Sequence, residues 1–194
     1  MKDFLYDIEG EKKMDALFQL DGNILLWIQE YIRCDFLTPI FKFFTTLGDD
    51  GRIWIATAIM LLFIKKYRKT GVMVGVSLLG SLIFINMIIK NLVARARPYK
   101  VIETLTILVP EPKEFSFPSG HAASSFAAGV VLYLTLPKKY GVPALILAVL
   151  ISLSRLYVGV HYPTDVLGGM VMGTLIAVAV VKGWQLVERK KVGK

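Results

Sequence analysis

TGVMVGVSLLGSLIFINMII, Thr70 to Ile89, runs for twenty residues without a charge. That is the length an α-helix needs to cross the hydrocarbon of a bilayer, roughly 20 residues. A helix of a soluble domain keeps a polar face for water. This stretch has none, so it reads as a membrane span, and the rest of the chain is read outward from it. Four further apolar segments surround it: 53–64, 122–136, 143–160 and 166–181. Each is shorter, or carries a charge such as Arg155, and each alone would suit a buried helix of a soluble protein. Together, with little polar sequence between them, they form a bundle.

Composition agrees. Of 194 residues, 55% are hydrophobic and only 20% charged, where a soluble domain carries about a quarter. Mean hydropathy is +0.57. The expected fold is an all-α integral membrane bundle with about five to six spans and N-terminal amphipathic helices. Trp54, Tyr67 and Trp184 are expected at the interfaces. The four-residue spacings of Gly71 with Gly75 and of Gly169 with Gly173 suit close helix approach. The one cysteine, Cys34, excludes an internal disulfide.

Residues 1–34 read as an interfacial segment, and 35–194 as the membrane-embedded domain. Acidic residues run through MKDFLYDIEGEKKMDALFQL, so no signal peptide is expected. Phe4, Leu5, Ile8, Leu17, Phe18 and Leu20 suggest amphipathic turns on a surface. In DGNILLWIQEYI (21–32), Asp21 is a candidate N-cap. It and LTPIFKFFTTLG (37–48) are expected as interfacial or partly inserted helices.

The formal charge is +8, and its placement matters more than its size. KKYRK (65–69), PKKYG (137–141) and ERKKVGK (188–194) are short basic connections that fall on one side of the bundle. The positive-inside tendency makes that side cytoplasmic. The other side holds residues 49–52, 90–121 and 155–165, and with them both histidines of the chain. A nucleic-acid partner is excluded, because the basic residues sit in short loops without an aromatic platform.

Three clusters gather on that second side. KNLVARARP (90–98) places Lys90 at the end of the apolar helix and Arg97 in the loop after it. A guanidinium forks onto phosphate oxygens, and an ammonium acts as a point charge. FPSGHAASS (117–125) offers Ser119 as an N-cap, Gly120 for close approach of a ligand, and His121 beside the N–H groups of a helix start, which can cradle an oxyanion. SRLYVGVHYPTD (154–165) buries Arg155 in an apolar stretch, where a charge implies a site or a partner such as Asp165. It also sets Asp165 four residues after His161, so that a carboxylate can fix the imidazole tautomer and raise its basicity. Each cluster alone has a structural explanation in snorkelling, capping or ion pairing. Three cations, an anion nest and two histidines on one face have a common one, a phosphate site. No Cys/His cluster has metal-ligand spacing.

The ordered set Lys-x6-Arg-Pro, Pro-Ser-Gly-His and Ser-Arg-x5-His-x3-Asp resembles the three-part signature of the type 2 phosphatidic acid phosphatase family. That superfamily includes glucose-6-phosphatase and the vanadium haloperoxidases. The signature covers Lys90 to Asp165 without a departure, and residues 1 to 35 lie outside it. The resemblance implies that His161 attacks phosphorus and forms a phosphohistidine, with Asp165 orienting it. It implies that His121 protonates the leaving oxygen. Lys90, Arg97, Arg155, Ser119 and the Gly120 N–H would bind the phosphoryl oxygens, with no metal and no cofactor. Arg95 is outside the signature and is expected to be solvated. The loop 105–117 is expected at the surface, a lid over the site being the alternative.

The implied substrate is a lipid phosphate reached from the membrane, with undecaprenyl diphosphate favoured by family analogy. Phosphatidylglycerophosphate and phosphatidate are alternatives, and lipid A 1-phosphate and diacylglycerol pyrophosphate stay open. Membrane lipids are the other expected partners. The location implied is the plasma membrane, multi-pass, with the site on the extracytoplasmic face. A vanadate-dependent haloperoxidase shares the motifs but is typically larger and soluble. A small transporter or structural membrane protein explains the spans but not the convergence of the clusters.

Overall fold

The structure is a computed structural model, and it describes residues 16–192. The amphipathic turns expected around Phe4, Leu5 and Ile8 lie outside those residues. No strand forms among the described residues. Helix α1 occupies residues 16–27 and continues through a π-helical turn, Ile28–Ile32. Then come α2 (Leu37–Leu47), α3 (Arg52–Phe63), α4 (Arg68–Ser81), α5 (Lys90–Val93), α6 (Pro98–Val101), α7 (Gly120–Thr135), α8 (Lys138–Tyr157) and α9 (Pro163–Val192). A π-helical segment, Leu82–Ile89, joins α4 to α5.

Three stretches are long and apolar enough to cross a membrane: Lys65–Val101, Lys138–Tyr157 and Pro163–Lys190. The expectation of five to six spans is thus approximate, and the difference has a physical basis. Helix α3 has 12 residues and α7 has 16, or about 18 and 24 Å at 1.5 Å per residue. Helix α7 does not face lipid along its length. Ten of its 16 residues are buried, because α4, α8 and α9 pack around it. A central helix need not match the bilayer when its neighbours do.

Small residues make that packing close. A side chain at Gly173 would place its Cβ 2.3 Å from the Ala123 carbonyl oxygen, and at Gly169 2.5 Å from that of Ser119. The Gly169/Gly173 pair is therefore the α7–α9 contact that its spacing suggested. The other pair splits. Gly71 meets the Ala58 carbonyl of α3, but Gly75 has nothing within 4 Å.

Trp54 departs from its expected interfacial place. It is buried in the main core beside Met73, Phe126 and Ile151, and its indole N–H donates to Ser125 Oγ at 3.0 Å. That partner lets a tryptophan enter a core fully. Two smaller clusters seat the functional end. Leu25 of α1 packs with Leu105 and Tyr162. Tyr157, Val158 and Val160 pack with Ile28 and Phe41, and Phe41 stacks on Tyr157 with ring centroids 4.2 Å apart. The turn after α8 is thereby pinned from both sides. The basic connections collect at the opposite end, where Lys66, Lys69, Pro137 and Glu188 line one crevice.

Candidate active site

The chain delivers its signature residues from three helix ends. The π-helical segment before α5 turns Asn86 and Lys90 toward one cavity. Such segments are common where a helix must re-aim side chains at a site. Arg97 follows in the extended link before α6. The start of α7 presents Gly120 and His121. The end of α8 presents Arg155, and the turn beyond it His161. Asn86 and these six predicted residues line a cavity of about 820 Å³. The other two predicted residues, Ser119 and Asp165, lie behind the wall, fully buried.

Each is held for a reason. Ser119 caps α7, its Oγ accepting from the Ala122 N–H at 3.5 Å. Its own N–H donates to the Asp165 carbonyl. The first-turn N–H groups that follow, at Gly120 and His121, have no acceptor within the helix, as at every helix start. A Cβ at Gly120 would lie 2.8 Å from Asn86 Oδ1. Arg97 is buried and donates to three backbone carbonyls, those of Glu114 (2.6 Å), Val160 (2.9 Å) and Phe115 (3.4 Å). Arg155 donates to Thr45 Oγ1, and its Nε has no partner. It does not pair with Asp165, the partner the sequence suggested.

His161 is 2% exposed, and burial pushes its imidazole down to about 3. It is neutral at neutral pH. Nε2 stands 3.4 Å from Arg97 Nη1 on the cavity side. Nδ1 faces Asp165 Oδ2 at 3.5 Å, the limit of a hydrogen bond. The short turn that allows this uses Gly159 at φ +81°, a conformation glycine adopts without strain. Asp165 in turn accepts from Ser116 Oγ (2.5 Å), the Tyr162 N–H (2.9 Å) and Arg95 (2.6 Å).

Four residues of this site escaped the reading of the sequence. Asp49 accepts from His121 Nε2 at 3.0 Å. That hydrogen bond holds the Asp49 carboxyl below the usual carboxylate range. Glu114 accepts from Lys90, and this bond likewise keeps its carboxyl low. Asn86 lines the cavity with its Oδ1 buried and unpartnered. Its signal was legible, since it is the one amide in an apolar run and lies one helical turn before Lys90.

Arg95 is the fourth, and its expected solvation is corrected. It is bonded to Asp21 and Asp165, 2.8 and 2.6 Å away. Asp21 is likewise no N-cap. It lies inside α1, buried, and faces Arg95 and Thr164. From the loop 105–117, Pro112, Lys113 and Glu114 line the cavity.

Three buried cations meet here, Lys90, Arg97 and Arg155, and two carboxylates, Asp50 and Glu114, line the same cavity. Such an arrangement is unfavourable without an anion, since like charges and desolvation both oppose it. It can bind a phosphoryl group and stabilise the charge that shifts as that group is transferred.

Comparison with known proteins points the same way. The family profile described as PAP2 superfamily matches residues 70–189. An undecaprenyl-diphosphatase of Sulfolobus acidocaldarius is 37% identical over 133 residues, which are 68% of this chain and 64% of that protein. Undecaprenyl-diphosphatase BcrC of Bacillus subtilis is 33% identical over 140 residues, 72% of this chain and 71% of that one. Among solved structures, a transmembrane PAP2-type phosphatidylglycerolphosphate phosphatase from Bacillus subtilis matches with TM-score 0.73 and 28% identity, covering 94% of this chain and 93% of that one. The chain thus spans just under two thirds of the Sulfolobus relative and nearly all of the solved membrane structure.

Proposed function

The chain belongs to the PAP2 superfamily, and from that premise we propose that it is a membrane lipid phosphatase. It removes the terminal phosphate of a lipid phosphate or diphosphate, with undecaprenyl diphosphate the favoured substrate. The observation that carries this reading is one cavity lined by Lys90, Arg97, Arg155 and both histidines.

The reaction runs in two displacements. Lys90, Arg97, Arg155 and the N–H groups at the start of α7 hold the terminal phosphoryl oxygens. His161 is neutral and offers the Nε2 lone pair to phosphorus. The N–P bond forms as the bond from phosphorus to the lipid oxygen breaks. Asp165 steadies the positive charge that grows on the ring through Nδ1–H. His121 gives its proton to the departing oxygen, which leaves on the lipid alcohol or, from a diphosphate, on the lipid monophosphate. Water then attacks the phosphohistidine with His121 as base, and inorganic phosphate leaves. Because the charge stabilisation comes from side chains, the reaction needs no metal. The placement of basic connections at the opposite end supports an extracytoplasmic site in the plasma membrane.

Phosphatidylglycerophosphate is the second substrate, favoured by the likeness to the solved Bacillus subtilis structure. The test is phosphate release by purified protein in detergent from undecaprenyl diphosphate, phosphatidylglycerophosphate and phosphatidate, with EDTA present. Release that vanishes in His161→Ala supports the phosphatase and ranks its substrates. Release that EDTA stops and Mg²⁺ restores overturns the metal-free reaction. No release from any of the three, by a folded protein, returns the transporter reading.

A further inference from the structure

We propose that Asp21 and Arg95 are positioning residues for His161, so that helix α1 belongs to the catalytic apparatus. The kinetic part of this proposal rests on the phosphatase reading above.

A chain of polar contacts leads from α1 to the nucleophile, hydrogen-bonded as far as Asp165 and closed by a 3.5 Å approach to His161 Nδ1. Asp21 Oδ2 accepts from Arg95 Nη2 at 2.8 Å, and Arg95 Nη1 donates to Asp165 Oδ1 at 2.6 Å. Asp165 Oδ2 faces His161 Nδ1. Thr164 braces the middle, with its N–H on Asp21 Oδ1 (3.1 Å) and its hydroxyl beside Arg95 Nη1 (2.7 Å). The guanidinium also lies over the ring of Tyr162, 4.0 Å from its centroid, and of Phe18, 4.9 Å away. Asp21 and Asp165 are buried, and the Arg95 side chain is 13% exposed.

A buried carboxylate–guanidinium–carboxylate triad is a poor way to stabilise a fold, because desolvation cancels most of the attraction. It is a good way to fix one carboxylate in place. Arg95 takes one oxygen of Asp165 and leaves the other to Ser116, the Tyr162 N–H and the imidazole. One cation between two carboxylates also leaves a net negative charge, which faces the ring that becomes cationic on phosphorylation. The groups facing Asp165 are therefore Arg95 and Arg97 from the link before α6, Ser116 from the loop before α7, Tyr162 and His161 from the turn, and Asp21 of α1 through Arg95. Partners that orient a reactive imidazole typically command about tenfold to a hundredfold effects.

The experiment compares full-length Asp21→Asn, Arg95→Lys and Arg95→Ala with the parent protein in detergent. The first readout is kcat and KM on the lipid phosphate that the parent hydrolyses. The second is the ring nitrogen spectrum of His161 after ¹⁵N-histidine labelling, assigned with a His121 variant since the chain has only two histidines. Asp21→Asn is expected to lower kcat about tenfold or more while KM moves less than about threefold. Arg95→Ala is expected to lose more, Arg95→Lys to recover part, and His161 to lose its single tautomer in each. Unchanged kcat and an unchanged His161 spectrum in Asp21→Asn and Arg95→Lys overturn the proposal. So does a change confined to KM. If Arg95→Ala fails to fold, the two conservative variants decide. If the parent releases no phosphate, the phosphatase reading fails, while the ring spectrum still decides this one.

Discussion

His121 and His161 differ in what surrounds them, and the difference bears on the roles proposed for them. His161 is buried against Asp165 with its ring neutral. His121 is 19% exposed at the cavity and bonded to an ionised Asp49. If His121 supplies the proton to the leaving oxygen, His121→Ala loses far more rate on a lipid phosphate than on p-nitrophenyl phosphate, whose leaving group needs no proton. Asp49→Asn follows the same pattern with a smaller loss. Equal losses on both substrates remove His121 from that role. The imidazole of His161 also carries a linkage. Its folded value near 3 lies below the ordinary 6.5, so between those values the unfolded chain binds a proton that the folded one refuses. The stability it contributes is complete above about pH 6.5 and falls as pH drops through that window. A His161 ring that shows no protonation between about pH 5 and 8 by NMR meets this expectation. A midpoint near 6.5 would mean that the ring is solvated.

At the scale of elements, α7 is the keystone. It is short, rich in alanine and glycine, and enclosed by α4, α8 and α9. Its first turn carries the proposed anion site, so its position against α9 sets where Gly120 and His121 stand. Gly173→Leu forces those helices apart, because even the first carbon has no room beside Ala123. Overpacking of this kind costs about 1–3 kcal/mol, and a lowered thermal midpoint in detergent, with a drop in phosphatase rate, is expected. Gly75→Ala is the contrast. Nothing stands within 4 Å of that position, and alanine favours the helix interior by about 0.5–1 kcal/mol. Its midpoint stays level or rises. A Gly173→Leu protein as stable as its parent would show that α7 and α9 do not depend on this approach.

At the scale of the whole molecule, the chain has two unlike ends. One holds the cavity, and the other gathers Lys66, Lys69 and the residues around Pro137. Helix α8 joins them, its 20 residues rising about 30 Å at 1.5 Å each. The protein carries its own topological probe. Cys34 is exposed, and its backbone N–H donates to the Tyr157 hydroxyl, 3.1 Å away at the cavity end of α8. A membrane-impermeant maleimide added to intact cells is expected to label Cys34. A cysteine placed by Lys138→Cys in a Cys34→Ala background is expected to label only after lysis. The reverse pattern puts the site in the cytoplasm.

The uncharged length of 70–89 pointed to a membrane span, and the ordered motifs holding Lys90, Arg97, Ser119, Gly120, His121, Arg155, His161 and Asp165 pointed to a candidate site. Both are local properties. Hydropathy reports burial, and the spacing within each motif is fixed by the chain itself. The second layer was not legible in this way. Arg95 read as a solvated cation and Asp21 as a helix cap, yet each is the other's partner across 74 residues. Asp49 reaches His121 across 72. Trp54 read as an interface anchor and lies in the core. The identity of an ion's partner depends on how each helix is rotated and how closely glycines let it approach. Those are settled by packing, which no stretch of sequence contains by itself.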